Sequence, residues 1–244
     1  IDISCDESFE PIMEQEITVF EAAYPKASII PYYVSEAEAL NMLLQDSVRL
    51  AVATRKLTPQ EEASFKSRQL RVRTVQIALD GIAFIVNKNN KHDVISVDEL
   101  RKIVTGEATA WKQIYPGSSL GKINFVFDNQ GSSSMRYAID SLCQGKPLYQ
   151  GLYAQKSNQA VIDYVAQTPN AIGVIGASWI GNEADSTNTS FTDVVKVMAV
   201  RKAPGYDPYK PYQYYIATGD YPLTRPIYMI TTDPRNGLPT GFTK

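Results

Sequence analysis

Short apolar runs alternate along this chain with stretches whose apolar residues recur every three or four positions. Ile1–Cys5 reads as a strand, and Ile12, Ile17, Val19 and Phe20 follow at helical spacing. Ala27–Val34 reads as a second strand, with Ala39, Leu40, Leu43 and Leu44 on the helix after it; Leu50–Thr54 is a third, and Thr58-Pro59 opens another helix. Hydroxyls stand at the mouths of these helices. Ser8 is placed to cap the first, with Pro11 in its first turn, and Ser35 precedes Glu38 by the three residues of a capping box.

The pattern then changes. Val75–Val86 is an apolar run longer than a usual strand, with Asp80-Gly81 at its centre, and is expected to cross between two lobes. Beyond it, Ser96 caps a helix that Thr105-Gly106 ends, and Trp111 and Tyr115 fall in a loop closed by Pro116-Gly117. Ile123–Phe127 is a strand, Met135, Ile139 and Leu142 share a helical face, a helix runs from Asn158 through Val165, and Ala171–Gly176 is again a strand. Gly181–Thr192 is polar enough for a surface loop, and Val194–Val200 is a strand expected to return to the first lobe. From Tyr206 to Tyr228 tyrosine and proline leave little room for helices, and Pro226–Thr231 is the last strand.

Strands alternating with helices predict an α/β fold with a mostly parallel sheet, in which ligands sit beyond the carboxyl ends of the strands. The junction at Gly131–Ser134 is the sharpest candidate. One glycine and three serines stand where a strand turns into a helix, and a helix start carries unpaired N–H donors and about +0.5 of an elementary charge. The same residues also suit a plain helix cap.

Composition narrows the function. The 244 residues carry 24 basic and 26 acidic side chains, a net charge of −2 with no block of like charge, which argues against a nucleic-acid surface. No apolar run reaches the roughly 18 residues of a membrane span. Nothing resembling a signal peptide stands at Ile1, so the chain is expected to be a processed or trimmed form. Cys5, Cys143 and His92 are too few for a zinc site, and no Gly-x-Ser-x-Gly turn is present; no metal, no cofactor and no catalytic residue is expected. Both cysteines are read as buried free thiols, with a disulfide as the alternative. Trp111, Trp179 and the 15 tyrosines are read as packing residues.

Several stretches in order resemble the phosphate-binding proteins of bacterial ABC transporters: Ser96–Trp111, the Gly131-Ser-Ser-Ser-Met-Arg run, Ala171–Gly176, and Gly219–Tyr228 with its Tyr-Pro-Leu-Thr-Arg-Pro-Ile-Tyr. The resemblance implies a two-lobed type 2 periplasmic-binding-protein fold, each lobe a mixed, mostly parallel sheet flanked by helices, with a ligand cleft between them. It places the lobes at residues 1–80, 81–200 and 201–244, the last returning to the first lobe. It also implies a non-enzymatic protein that captures inorganic phosphate or a similar oxyanion and passes it to a membrane permease. Such a protein acts as a monomer at the periplasmic or cell surface, lipid-anchored through a segment outside this chain. A sensor module of the same fold is the alternative.

Carried over residue by residue, Ser8 and Phe9 match the first ligand loop, Ser35 the second, Arg55 a charged position after the third strand, and Gly131, Ser132, Ser133 and Ser134 the second-lobe loop. The chain departs from the family where Asp128 stands in place of an arginine and Arg55 in place of an aspartate. The two charges are expected to have exchanged places across the cleft and kept their ion pair. Asp128 and Glu36 are the candidate carboxylates that would accept a proton from phosphate and repel sulfate. The chain also stops at Gly241–Lys244, about where the family's C-terminal helix would begin.

Overall fold

The computed structural model describes residues 1–181, 190–232 and 237–243. β1 (Asp2–Asp6) passes through a 3₁₀ turn at Glu7–Phe9 into α1 (Glu10–Ala23), followed by β2 (Ile30–Val34), α2 (Glu36–Leu44), β3 (Leu50–Ala53) and α3 (Pro59–Ser67). The long β4 (Arg73–Asn87) leads to β5 (Val94–Ser96), α4 (Val97–Val104), α5 (Trp111–Ile114) and β6 (Asn124–Phe127). Next come α6 (Ser133–Tyr137), running into a π turn at Ala138–Leu142, then β7 (Tyr153–Ala154), α7 (Asn158–Gln167) and β8 (Ala171–Gly176). β9 (Val195–Val197), β10 (Ala199–Arg201), β11 (Pro208–Tyr209), α8 (Gln213–Thr218), β12 (Thr224–Thr231) and α9 (Leu238–Phe242) close the series.

The chain divides into two compact units. One comprises Ile1–Leu79, Gly131–Ser133 and Arg225–Lys244, the other Asp80–Gln130 and Ser134–Thr224. The run expected to cross over changes unit between Leu79 and Asp80. The return comes at Arg225 rather than at residue 201, so β9 and β10 stay in the second unit.

In the first unit β1 lies between β2 and β3, parallel to both, and β12 runs antiparallel to β3 with Met229 opposite Val52. Alternation along the strands sorts the core into two layers. Ile3, Cys5, Leu50, Val52, Ile227 and Met229 pack with Phe9, Met13 and Ile17 at the start of α1. Ala51, Ala53 and Ile230 point the other way, onto Leu40, Leu43 and Phe65. Burial of each large side chain contributes roughly 1.5–3 kcal/mol, and it holds the carboxyl end of β1 firmly beside the starts of α1 and α2.

In the second unit β8 lies between the later half of β4, antiparallel with Phe84 opposite Val174, and β6, parallel with Phe125 opposite Ile172. β7 extends the sheet beyond β6 and β9 pairs with β4; β10 forms a separate small sheet with β5 and β11. α7 packs so closely on β8 that a Cβ at Gly173 would come within 2.7 Å of a Val161 methyl.

Several local expectations are corrected. Trp111 opens a short helix instead of lying in a loop, because the Gln113 side chain accepts the Thr109 and Ala110 N–H groups at 2.8 Å and closes a turn there. α8 forms inside the breaker-rich tyrosine stretch: Ile216 is buried and Gly219, at φ 78°, ends the helix. Val194–Val200 splits at Met198 into two strands. Ile12 and Val19, on the expected apolar face of α1, are exposed, and Met13 and Ile17 are the buried positions of that helix. Of the polar stretch expected as a surface loop, residues 182–189 lie outside the described residues. Cys5 and Cys143 are both free and buried.

Candidate functional site

In the first unit the ends of β1 and β12 and the loop at Gly131–Ser133 assemble a buried polar cluster. Asp6, the last residue of β1, turns its side chain back to accept the Ser8 N–H at 3.1 Å and so caps the 3₁₀ turn, whereas α1 starts after Phe9 without a side-chain cap, so that Ser8 does not cap it as expected. Ser8 is fully buried, and its hydroxyl lies 3.4 Å from the hydroxyl of Ser133. Ser133 accepts a hydrogen bond from Nη1 of Arg225 at 2.5 Å. Arg225 is 2% exposed, and its guanidinium stands 5.1 Å from the centre of the Phe9 ring, a cation over an aromatic face.

Ser35 caps α2 by accepting the Glu38 N–H at 3.3 Å. Gly131 lies against it: a Cβ there would come 3.1 Å from the Ser35 Oγ, so a side chain would fit only if Ser35 gave way by a few tenths of an ångström. Ser132 and Ser133 are buried beside it in sequence. The structure places Ser8, Phe9, Ser35, Gly131 and Ser133 in one unit, whereas Gly131–Ser134 was expected as a loop of the second lobe; of that run Ser134 falls in the second unit.

Glu36 and Arg55 are placed differently. Glu36 is buried, and its Oε1 accepts both the Thr54 N–H, at 2.7 Å, and the Thr54 hydroxyl, at 2.6 Å, tying the start of α2 to the end of β3. Arg55 grips Glu61 through both guanidinium nitrogens, at 2.7 and 2.8 Å, and Glu61 in turn closes the capping box of α3 on Thr58. The Arg55 guanidinium, helped by the Thr58 N–H and hydroxyl, holds the Glu61 carboxyl down at about 2 against the opposing effect of burial. Arg55 thus pairs with Glu61 inside the first unit.

In the second unit Asp128 is fully buried. It accepts a short hydrogen bond from the Ser134 hydroxyl and another from Asn158 Nδ2 at 3.3 Å, and Asn158 Oδ1 accepts the Gly176 N–H at 3.4 Å. This chain of bonds joins the end of β6, the start of α6, the start of α7 and the end of β8. It fixes the backbone where the Gly131–Ser134 loop leaves the unit.

Two members of the first cluster, Asp6 and Arg225, went unnominated by the sequence reading. Arg225 was visible as a lone cation in the apolar run of β12, and Asp6 as the acid closing β1 two residues before Ser8; a charge inside a strand core was the available signal. Burial pushes the Asp6 carboxyl up to about 6, the nearby Arg225 guanidinium opposing and Glu36 adding to the rise. The single histidine, His92, belongs to the second unit, where Nε2 lies 2.9 Å from the Ser118 hydroxyl and the ring stacks on Tyr115. Among the described residues there is no cluster of three or more potential metal ligands, and no helix is long and apolar enough to cross a membrane.

The family model described as "PBP superfamily domain" matches residues 1–244. The phosphate-binding protein PstS of Borreliella burgdorferi is 28% identical over 194 residues, covering 76% of this chain and 66% of that protein. The phosphate-binding protein PstS of Bacillus subtilis is 31% identical over 171 residues, covering 68% of this chain and 49% of that protein. The chain thus spans from about half to just under two thirds of these relatives' own length. Among solved structures, one assigned as a phosphate ABC transporter substrate-binding protein with bound phosphate, from Clostridium perfringens, superposes with a TM-score of 0.81 at 22% identity over 100% of this chain and 90% of that one. At that identity the likeness establishes the α/β fold.

Proposed function

Because this chain belongs to the PBP superfamily, we propose that it is a non-enzymatic, extracytoplasmic solute-binding protein that captures inorganic phosphate, or an oxyanion of similar size, for an ABC permease. One observation carries the reading. In the first unit a buried guanidinium, Arg225, is held on the Ser133 hydroxyl, with a second buried hydroxyl, Ser8, beside it. A guanidinium, and hydroxyls that can turn their protons toward a newcomer without moving, are donors suited to an oxyanion.

Each hydrogen bond to a charged group is worth roughly 1.5–3 kcal/mol, so Arg225, Ser8, Ser133 and Ser35 together reach the approximately −8 kcal/mol of micromolar binding after ordering costs. Arg225 takes the part for which Arg55 was nominated. Asp128 serves Ser134 by holding it in place, a supporting role rather than one on the ligand. The relatives named as phosphate-binding proteins favour phosphate among the oxyanions.

Calorimetric titration with phosphate, sulfate and molybdate tests the proposal. The expected result is a dissociation constant of the order of 1 µM for phosphate, undisturbed by excess sulfate. Absence of any phosphate binding overturns it, and preference for molybdate moves the ligand to another oxyanion.

A further inference from the structure

Three charged side chains share the buried interior of the first unit near the carboxyl end of β1: Asp6 on β1, Glu36 on α2 and Arg225 on β12. Arg225 and Glu36 act on the Asp6 carboxyl in opposite senses, and with all three ionised these groups carry one net negative charge among themselves before any anion arrives. Seating a further anion against them raises the electrostatic cost steeply in a medium of low polarity. The direct relief is to neutralise one carboxylate with a proton.

The geometry distinguishes the two. Oε1 of Glu36 accepts the N–H and the hydroxyl of Thr54, and protonation there would weaken bonds that tie α2 to β3. Asp6 uses Oδ1 for the Ser8 N–H; its Oδ2 is buried with no hydrogen bond of ordinary length among the described residues, although the Ser133 hydroxyl is near enough to favour the ionised carboxyl. Of the other titratable groups near it, Glu10 opens α1 and Cys5 precedes Asp6 on β1; burial pushes the Cys5 thiol well above its ordinary range, so that it stays neutral. Burial also raises the Asp6 carboxyl to about 6, within reach of neutral solution.

We propose that Asp6 takes up a proton from solvent as the anion seats, and that its Oδ2–H then donates to an oxygen of that anion. Capture is thereby linked to proton uptake and release to proton loss. This deepens the phosphate reading and rests on it.

Phosphate should be titrated calorimetrically at about pH 8, where it is almost wholly a dianion, in buffers of different ionisation enthalpy, with the wild-type protein and Asp6→Asn. The wild type is expected to take up about one proton per phosphate, and Asp6→Asn to bind with almost none. In the wild type alone, the infrared difference spectrum on adding phosphate should lose carboxylate bands and gain a carboxylic-acid carbonyl band, a readout independent of whether the variant folds. Phosphate binding with no proton uptake, with uptake unchanged in Asp6→Asn, or with no new carboxylic-acid band overturns the proposal and leaves the phosphate reading standing. Absence of phosphate binding in the wild type overturns both.

Discussion

The two units each place a buried carboxylate at the end of a strand, close to a serine hydroxyl, and use it differently. Asp128 in the second unit has its oxygens met by Ser134 and Asn158, so its charge is spent on joining secondary structure. Asp6 in the first has one oxygen on the Ser8 N–H and the other without a hydrogen bond of ordinary length among the described residues, with a buried guanidinium nearby. A satisfied buried acid is a structural part; one left with bonding capacity beside a buried cation is poised for a ligand.

The sharpest way to break that contrast is at Arg225. Arg225→Met should weaken phosphate binding by roughly 30-fold to about 4,000-fold, the 2–5 kcal/mol expected when one partner of a buried charged hydrogen bond is cut away. Calorimetry reads the loss directly, with a melting curve as control for folding. Affinity within threefold of wild type would remove Arg225 from the site.

Stability against pH probes Asp6 next. Its carboxyl is raised from 3.8 to about 6, so the folded state holds that proton more tightly than the unfolded chain does. The stabilisation is fully present below the unfolded value and is lost as pH rises from about 4 through about 6, with a ceiling of about 3 kcal/mol. Asp6→Asn should flatten this part of the curve in chemical denaturation and leave the protein more stable near neutrality. A curve of unchanged shape would show that Asp6 titrates normally.

Ser133→Ala and Ser134→Ala set the adjacent hydroxyls of the two clusters against each other. The first should lower phosphate affinity by about tenfold or more, since it removes a bond involving a charged group. The second leaves Asp128 short of a donor and should cost about 1–3 kcal/mol of stability, a fall of several degrees in Tm, with affinity nearly unchanged. Reversed outcomes would exchange the roles assigned to the two units.

The smallest effect is expected at Arg55. Its pair with Glu61 lies partly in solvent, with side chains 26% and 19% exposed, so Arg55→Gln should cost less than about 1 kcal/mol and leave phosphate affinity alone. Glu61 is held down at about 2, so whatever the pair contributes is present above the ordinary carboxylate range and is lost as pH falls toward that value. A large loss of affinity in Arg55→Gln would restore the cation the sequence reading had chosen.

Much of the molecule was legible in the order of its residues, for a local reason. Apolar periodicity located β1, β3, β6 and β8, and the hydroxyl-to-acid spacing located the caps at Ser35, Thr58 and Ser96, because capping and alternation are settled within a few residues of chain. Gly131 and the serines after it declared a place where backbone must pass close to something. The chain order alone left unsaid that this something was the Ser35 hydroxyl, that a cation from β12, some ninety residues further on, would reach Ser133, and that Asp128 would be used up on Ser134 and Asn158. A charge says nothing locally about its partner. Whether Arg55 or Arg225 serves as the buried cation depends on which acid lies within reach once the strands have paired, and only the tertiary structure decides that.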